Sequence, residues 1–261
     1  MESPKPARTV ILHAHIFKNA GTSVDNILQF NYDTQFIDHL ETDKLAEEKQ
    51  LFLDNYLRQH PNIIAFASHH LPLPLQAVPD LNYCVIMMLR HPIIRASSAY
   101  RFERTQQTEN PSADAAKRYD FADYVRWNVD NGYQTFFNYF VRYCTSTVSE
   151  QLSAEMRLKY AINQSENFAV LGVVERFAES MTVLKKNLRT NGLDLKLIQS
   201  RKNVTDQSSD RCENKLARIQ QQLGEPLYAT LLELNKEDLA FYQHSVQQLD
   251  ADKNKLLMIQ T

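Results

Sequence analysis

Three short polar segments carry side chains suited to anion and proton chemistry: Lys18-Asn19-Ala20-Gly21-Thr22-Ser23, Ser68-His69-His70, and the stretch from Arg90 to Ser98. In the first, Gly21 permits close approach of a ligand to the backbone and Thr22 or Ser23 can begin a helix. Lys18 adds a mobile cation beside the N–H groups of that helix start, a combination that suits a phosphate. The nucleotide loop GxxxxGK[ST] is absent, because the lysine precedes the glycine and no Lys-Ser or Lys-Thr pair closes the loop. A kinase or ATPase is therefore disfavoured. In the third segment Arg90 and Arg95 flank Pro92, with Ser97, Ser98 and Arg101 following. Arginine binds phosphate through two donors at once, so a second phosphate is expected there. Histidine titrates near neutral pH and can accept a proton, but the pair in the middle segment, taken by itself, reads first as loop histidines hydrogen-bonded to backbone.

The surrounding pattern supplies the elements that position these segments. Val10, Ile11, Leu12, Ile16 and Phe17 suit a buried parallel strand, and Val24, Ile27 and Leu28 recur on one helix face. The run NIIAFA at 62–67 ends at the histidines, and YCVIMML at 83–89 ends at Arg90. Pro92 then opens a helix expected from Ile93 to about Thr105. A short strand is expected at Thr34–Ile37, one amphipathic helix at Thr42–His60, and a late strand at FAVLGVV, 168–174, before the helix of Met181, Leu184 and Leu188. Strands alternating with helices predict an α/β fold, a mostly parallel central sheet flanked by helices with a helical C-terminal part. Ligands of such sheets sit beyond the carboxyl ends of the strands, so the three segments converge on one cleft. Residues 106–120 are polar and predict a surface loop or lid. The aromatics from Phe121 to Phe140 predict part-buried helix, as core in preference to cleft wall.

Length and composition bound the rest. With 261 residues, 43% hydrophobic and 23% charged, the chain suits a single domain over 1–261, with 1–7 as a flexible tail. A formal net charge of −2 offers no global field for nucleic acid. Cys84, Cys144 and Cys212 lie too far apart for a CxxC-type site, and Cys84 reads as a small buried hydrophobe. The eight histidines show no HxxxH or HExxH spacing, so no zinc site is expected. The sequence shows neither a signal-like start nor a run of roughly 20 apolar residues, which predicts a cytoplasmic chain, or a luminal one whose anchor has been removed.

Taken together, the segments resemble a family. HIFKNAGTS resembles the HxPKTGGTS 5′-phosphosulfate loop of sulfotransferases that use 3′-phosphoadenosine 5′-phosphosulfate, and LRHPIIRASSAY resembles their RDPxxRxxSxY 3′-phosphate motif. FASHHLPLPL is similar to the catalytic-histidine segment of carbohydrate-type members, the heparan sulfate 2-O-sulfotransferase-like kind. The resemblance covers most of residues 8–205 and implies a three-layer, P-loop-like fold. It also implies transfer of a sulfuryl group to an acceptor hydroxyl on a carbohydrate, small metabolite or lipid, with adenosine 3′,5′-bisphosphate as product. By that resemblance His70 is the base, with His69 as the alternative. Lys18 and residues Asn19, Ala20, Gly21, Thr22 and Ser23 hold the 5′ end of the donor. Arg90 and Ser98 hold the 3′-phosphate, and Arg201, Lys202 or Asn203 closes over it. No metal is called for, since cationic side chains supply the charge. Phe17 stands in place of the family's Pro, Asn19-Ala20 in place of Thr-Gly, and His91 in place of Asp. The second of these alters the loop wall, and with it a non-catalytic nucleotide-binding protein of the same fold is the alternative reading, with a P-loop kinase third.

Overall fold

The computed structural model describes residues 7–38, 42–107, 110–148, 152–198 and 212–258. Five strands, β1 (Arg8–Ala14), β2 (Phe36–Asp38), β3 (Ala65–Ser68), β4 (Leu81–Leu89) and β5 (Val170–Val173), form a parallel sheet in the order β2-β3-β1-β4-β5. Helices α1 (Gly21–Tyr32), α2 (Thr42–Glu48) and α3 (Gln50–Gln59) precede β3, while α4 (Pro92–Glu103), α5 (Pro111–Arg118), α6 (Phe121–Asp130), α7 (Tyr139–Cys144) and α8 (Ala154–Ser165) lie between β4 and β5. After β5 come α9 (Phe177–Thr190), α10 (Cys212–Leu223), α11 (Glu225–Leu234) and α12 (Lys236–Met258). Among the described residues no helix is long and apolar enough to cross a membrane.

Strand alternation divides the core into two layers. Val10, Leu12 and Ala14 of β1, with Phe66, Val85 and Met87, face Leu53 and Leu57 of α3, Phe140 of α7 and Phe241 of α12. Ile11, Ala65, Ala67, Cys84, Ile86 and Met88 face the opposite way, onto Val24, Ile27 and Leu28 of α1 and Met181, Leu184 and Leu188 of α9. Both faces of a parallel sheet are covered, which is why its strands read as continuous apolar runs. Cys84 sits in the second layer, and burial pushes its thiol up to about 11. A third cluster, with Ile93, Tyr100, Phe121, Tyr124, Phe136, Leu223 and Leu231, joins α4 and α6 to the C-terminal helices.

Three local expectations change. The helix expected over 42–60 breaks at Lys49, whose φ of 56° and ψ of −132° no helix accommodates. Within 106–120, expected as loop, residues 111–118 form α5. Asn110 caps it by accepting from the Ser112 N–H, Pro111 suits its first position, and Ala113, Ala115 and Ala116 are buried. Small side chains spaced along one face pass for loop when their polar neighbours dominate the count. Within 121–140, α6 ends at Asp130 and the chain turns before α7, so the aromatics divide between core and cleft wall.

Arg95 is wholly buried on α4, not turned toward a ligand as its motif suggested. It donates to the carbonyl of Thr135 at 3.0 Å, and its guanidinium lies 5.3 Å from the Tyr139 ring and 5.5 Å from that of Phe140. The carboxylate that attracts it most is Asp238 of α12, with Glu103 adding less, and Asp238 also accepts the N–H groups of Phe140 at 2.9 Å and Val141 at 3.0 Å. Burial outweighs those two bonds and the attraction of Arg95, raising the Asp238 carboxyl to about 6. The folded protein therefore holds this proton more tightly than the unfolded chain does. The stability that the neutral form contributes is complete below the ordinary carboxylate range and is lost as pH rises through about 6. In urea titrations the stability of the wild type relative to Asp238→Asn should fall by up to about 3 kcal/mol between about pH 4 and pH 7. A difference independent of pH would show that this carboxyl titrates in its ordinary range.

Candidate active site

The end of β1 leads into a turn at 17–20 and then into α1. Lys18 (φ 64°) and Ala20 (φ 60°) both adopt the left-handed conformation that lets a short loop curl around a ligand. The N–H groups of Asn19 and Ser23 are taken up inside the loop, by the carbonyls of Ile16 at 3.2 Å and Ala20 at 2.9 Å. Those of Ala20, Gly21 and Thr22 stand at the end of α1, where a helix has no partners of its own to offer. The Ser23 hydroxyl is buried without a hydrogen-bond partner among the described residues, whereas Thr22 is exposed. The ammonium of Lys18 lies 4.1 Å from the centre of the Phe102 ring, and Phe17 meets the same ring edge-on.

Asn19, one of the residues that depart from the HxPKTGGTS pattern, connects the first segment to the third. Its buried side chain accepts the Arg90 N–H at 2.7 Å and donates to the Phe17 carbonyl at 3.2 Å. Arg90 follows β4 and is buried, and Ser98 is buried on α4. Between them, burial lowers the pKa of His91 to about 4, so its imidazole is neutral at physiological pH, while its backbone N–H donates to Glu175 at 3.2 Å. Glu175 also accepts from the Tyr242 hydroxyl and so ties β5 to α12. Arg201 and Lys202, with Asn203, lie outside the described residues.

The histidine segment turns sharply after β3. The Ser68 hydroxyl accepts the His70 N–H at 3.0 Å, and the buried Tyr143 hydroxyl donates to the Ser68 carbonyl at 3.1 Å while accepting the Leu71 N–H at 3.2 Å. His70 is exposed and His69 half-buried, and both line a cleft of about 380 Å3. Lys49, Gln134, Tyr139, Arg142 and Ser146 form other parts of its wall. His69 Nδ1 donates to the His15 carbonyl at 2.5 Å, and the two rings lie 4.4 Å apart. The cleft and the anion loop are therefore neighbours.

One group of ionisable residues escaped sequence reading. His13 Nδ1 lies 2.6 Å from one oxygen of Asp25 and His15 Nδ1 lies 2.7 Å from the other. Two histidines at i and i+2 near the end of a strand, followed by a carboxylate in the next helix, are a visible pattern. Only packing of α1 on β1 shows that the three meet.

Comparison with known proteins fits this geometry. The profile of the Sulfotransferase family matches residues 6–245. An uncharacterized protein from Archaeoglobus fulgidus is 29% identical over 250 residues, covering 92% of this chain and 96% of the relative. No solved structure matches. The family match takes in the anion loop, the histidine turn and the Arg90–Ser98 segment together, and on that extent the chain belongs to the sulfotransferase family.

Proposed function

We propose that this protein transfers a sulfuryl group from 3′-phosphoadenosine 5′-phosphosulfate to a hydroxyl of an acceptor held in the cleft. The observation that carries this reading is the contact between His69 and His15, which sets the cleft histidines beside the loop that starts α1. The residues fit the donor. A buried Ser23 hydroxyl with no partner among the described residues is costly unless a ligand oxygen meets it, and an anion at the start of α1 would do so. Buried Arg90 and Ser98, joined to the loop through Asn19, suit the second phosphate.

Bound there, the donor supplies the electrophilic sulfuryl group. Lys18 and the N–H groups of residues 20–22 provide fixed positive potential where negative charge grows on the departing phosphate oxygen. A histidine of the His69–His70 pair takes the acceptor proton; the family resemblance favours His70, and exposure at the cleft leaves its ring accessible. On the acceptor side, Tyr139 and Tyr143 offer aromatic surface, Gln134 and Ser146 offer hydrogen bonds, and Lys49 and Arg142 are exposed cations on the wall. Lys49 holds a backbone conformation that L-residues seldom adopt, a kind of strain that concentrates at functional sites. This lining suits a polar acceptor carrying both a hydroxyl and an anionic group, as an acidic sugar does.

The test is transfer of labelled sulfate from the donor to a panel of sugars, phenols and alcohols, alongside calorimetric binding of adenosine 3′,5′-bisphosphate. Lys18→Ala should lower turnover by about 100-fold or more, as loss of a preorganised charge does elsewhere. Arg90→Ala should weaken adenosine 3′,5′-bisphosphate by about 1.5–3 kcal/mol. Nucleotide binding without turnover on any acceptor would favour the non-catalytic reading, and the absence of both would overturn the proposal. Asn19→Ala leaves the Arg90 N–H without its acceptor and should cost about 1–3 kcal/mol of stability in denaturant titration, with weaker nucleotide binding as the two segments separate.

A further inference from the structure

The cluster beneath the anion loop is not used by the chemistry above. His13 is 1% exposed and Asp25 7%, and burial of such groups is tolerated only when each satisfies another. Burial pushes the Asp25 carboxyl up, but the attraction of His13 and the hydrogen bonds from His13 and His15 outweigh it and hold the group well below the usual carboxylate range. Asp25 is thus an anion at neutral pH and can only accept, so each facing Nδ1 must carry its hydrogen. His13 Nδ1 is hydrogen-bonded to one Asp25 oxygen, and His15 Nδ1 stands in ion-pair contact with the other. Ligands of one tetrahedral zinc ion, with bonds of about 2.0 Å, would stand about 3.3 Å apart, farther than the 2.6 Å and 2.7 Å found here.

The cluster also reaches the cleft. The His15 carbonyl can only accept, so His69 Nδ1 carries its hydrogen too and leaves Nε2 with a lone pair. The other side of the His15 ring rests on Gly21, the first residue of α1. A Cβ there would fall 2.0 Å from His15 Cδ2 and 2.1 Å from Nε2, which is why no larger residue fits. His13 stacks on His15 from below, with ring centres 5.3 Å apart.

We propose that Asp25, together with His13, is a positioning residue of the transfer site: it locks the His15 imidazole in one tautomer and orientation, and His15 in turn holds the His69–His70 turn against Gly21. The inference rests on the reading of this site as the transfer site and adds three residues to it, none of which touches the reacting atoms. It accounts for the glycine at 21 and for a buried carboxylate that makes no contact with the cleft itself.

The experiment is long-range 1H–15N correlation of the imidazoles in the full chain labelled with 15N-histidine, assigned by single histidine substitutions and recorded with and without adenosine 3′,5′-bisphosphate. In wild type at mildly alkaline pH, His13, His15 and His69 should all show the Nδ1–H tautomer. Asp25→Asn offers one acceptor and one donor in place of two acceptors. It should move His13 or His15 to the Nε2–H form and shift the His69 signals. With an acceptor found on the panel, the same variant should lower kcat by about tenfold or more, as loss of an orienting partner does, and leave the KM for the donor within about twofold. An Nε2–H tautomer at His15 or His69 in wild type would overturn the proposal even if Asp25→Asn fails to fold. So would unmoved His69 signals in a folded variant, or a stoichiometric divalent cation whose chelation shifts these signals. Failure of adenosine 3′,5′-bisphosphate to bind wild type would count instead against the transfer reading, while the tautomers would still decide the positioning claim.

Discussion

The register of β1 against its two neighbours is the constraint on which the site depends. Parallel ladders pair Ala14 with Ser68 on one side and with Met87 on the other, so the strands run out at nearly the same level. The chain must leave each strand there, and it does so through the Lys18 loop, the histidine turn and the Arg90 turn. A shift of one residue in either ladder would turn the apolar side chains of that strand to the wrong layer, because Val10, Leu12 and Ala14 face one set of helices and Ile11 and His13 the other. Two hydrophobic layers thus hold three polar segments in place, and the Arg90–Ser98 segment adds Ile93, Ile94 and Ala96 to a third buried cluster.

What joins the segments to one another is polar and buried. Asn19 accepts from the Arg90 backbone, His69 donates to the His15 backbone, and Tyr143 bridges the histidine turn to α7. Each bond replaces water at a backbone group that the loop would otherwise leave unsatisfied. Asn19 is informative because it stands where relatives of the HxPKTGGTS pattern carry threonine. A threonine hydroxyl is shorter than the asparagine amide, which here spans from Phe17 to Arg90 and braces the loop.

Charges inside the molecule follow the same economy. Arg95 and Asp25 both lie within segments rich in anion-binding signals, yet both turn away from the cleft and are matched by groups on another element, Asp238 in one case and two imidazoles in the other. Truncating one member of such a set strands the other in a low-dielectric interior, which makes these contacts sensitive points of the fold.

The sequence by itself determined the alternation of strand and helix, the position of the anion loop and the Arg90–Ser98 turn, because apolar periodicity and Gly and Pro placement act over a few residues. It was enough to place the strand preceding each polar segment and to infer that the three segments meet. It misjudged α5, where Asn110 and Pro111 start a helix whose buried face is only alanine, and the break at Lys49, which no local preference announces. Only the tertiary structure decided that Arg95 belongs to the core, that Asn19 reaches Arg90, and that Asp25 gathers His13 and His15. Those outcomes depend on which faces of α1, α4 and α12 pack inward, and packing pairs residues as far apart as Arg95 and Asp238 that no spacing along the chain relates.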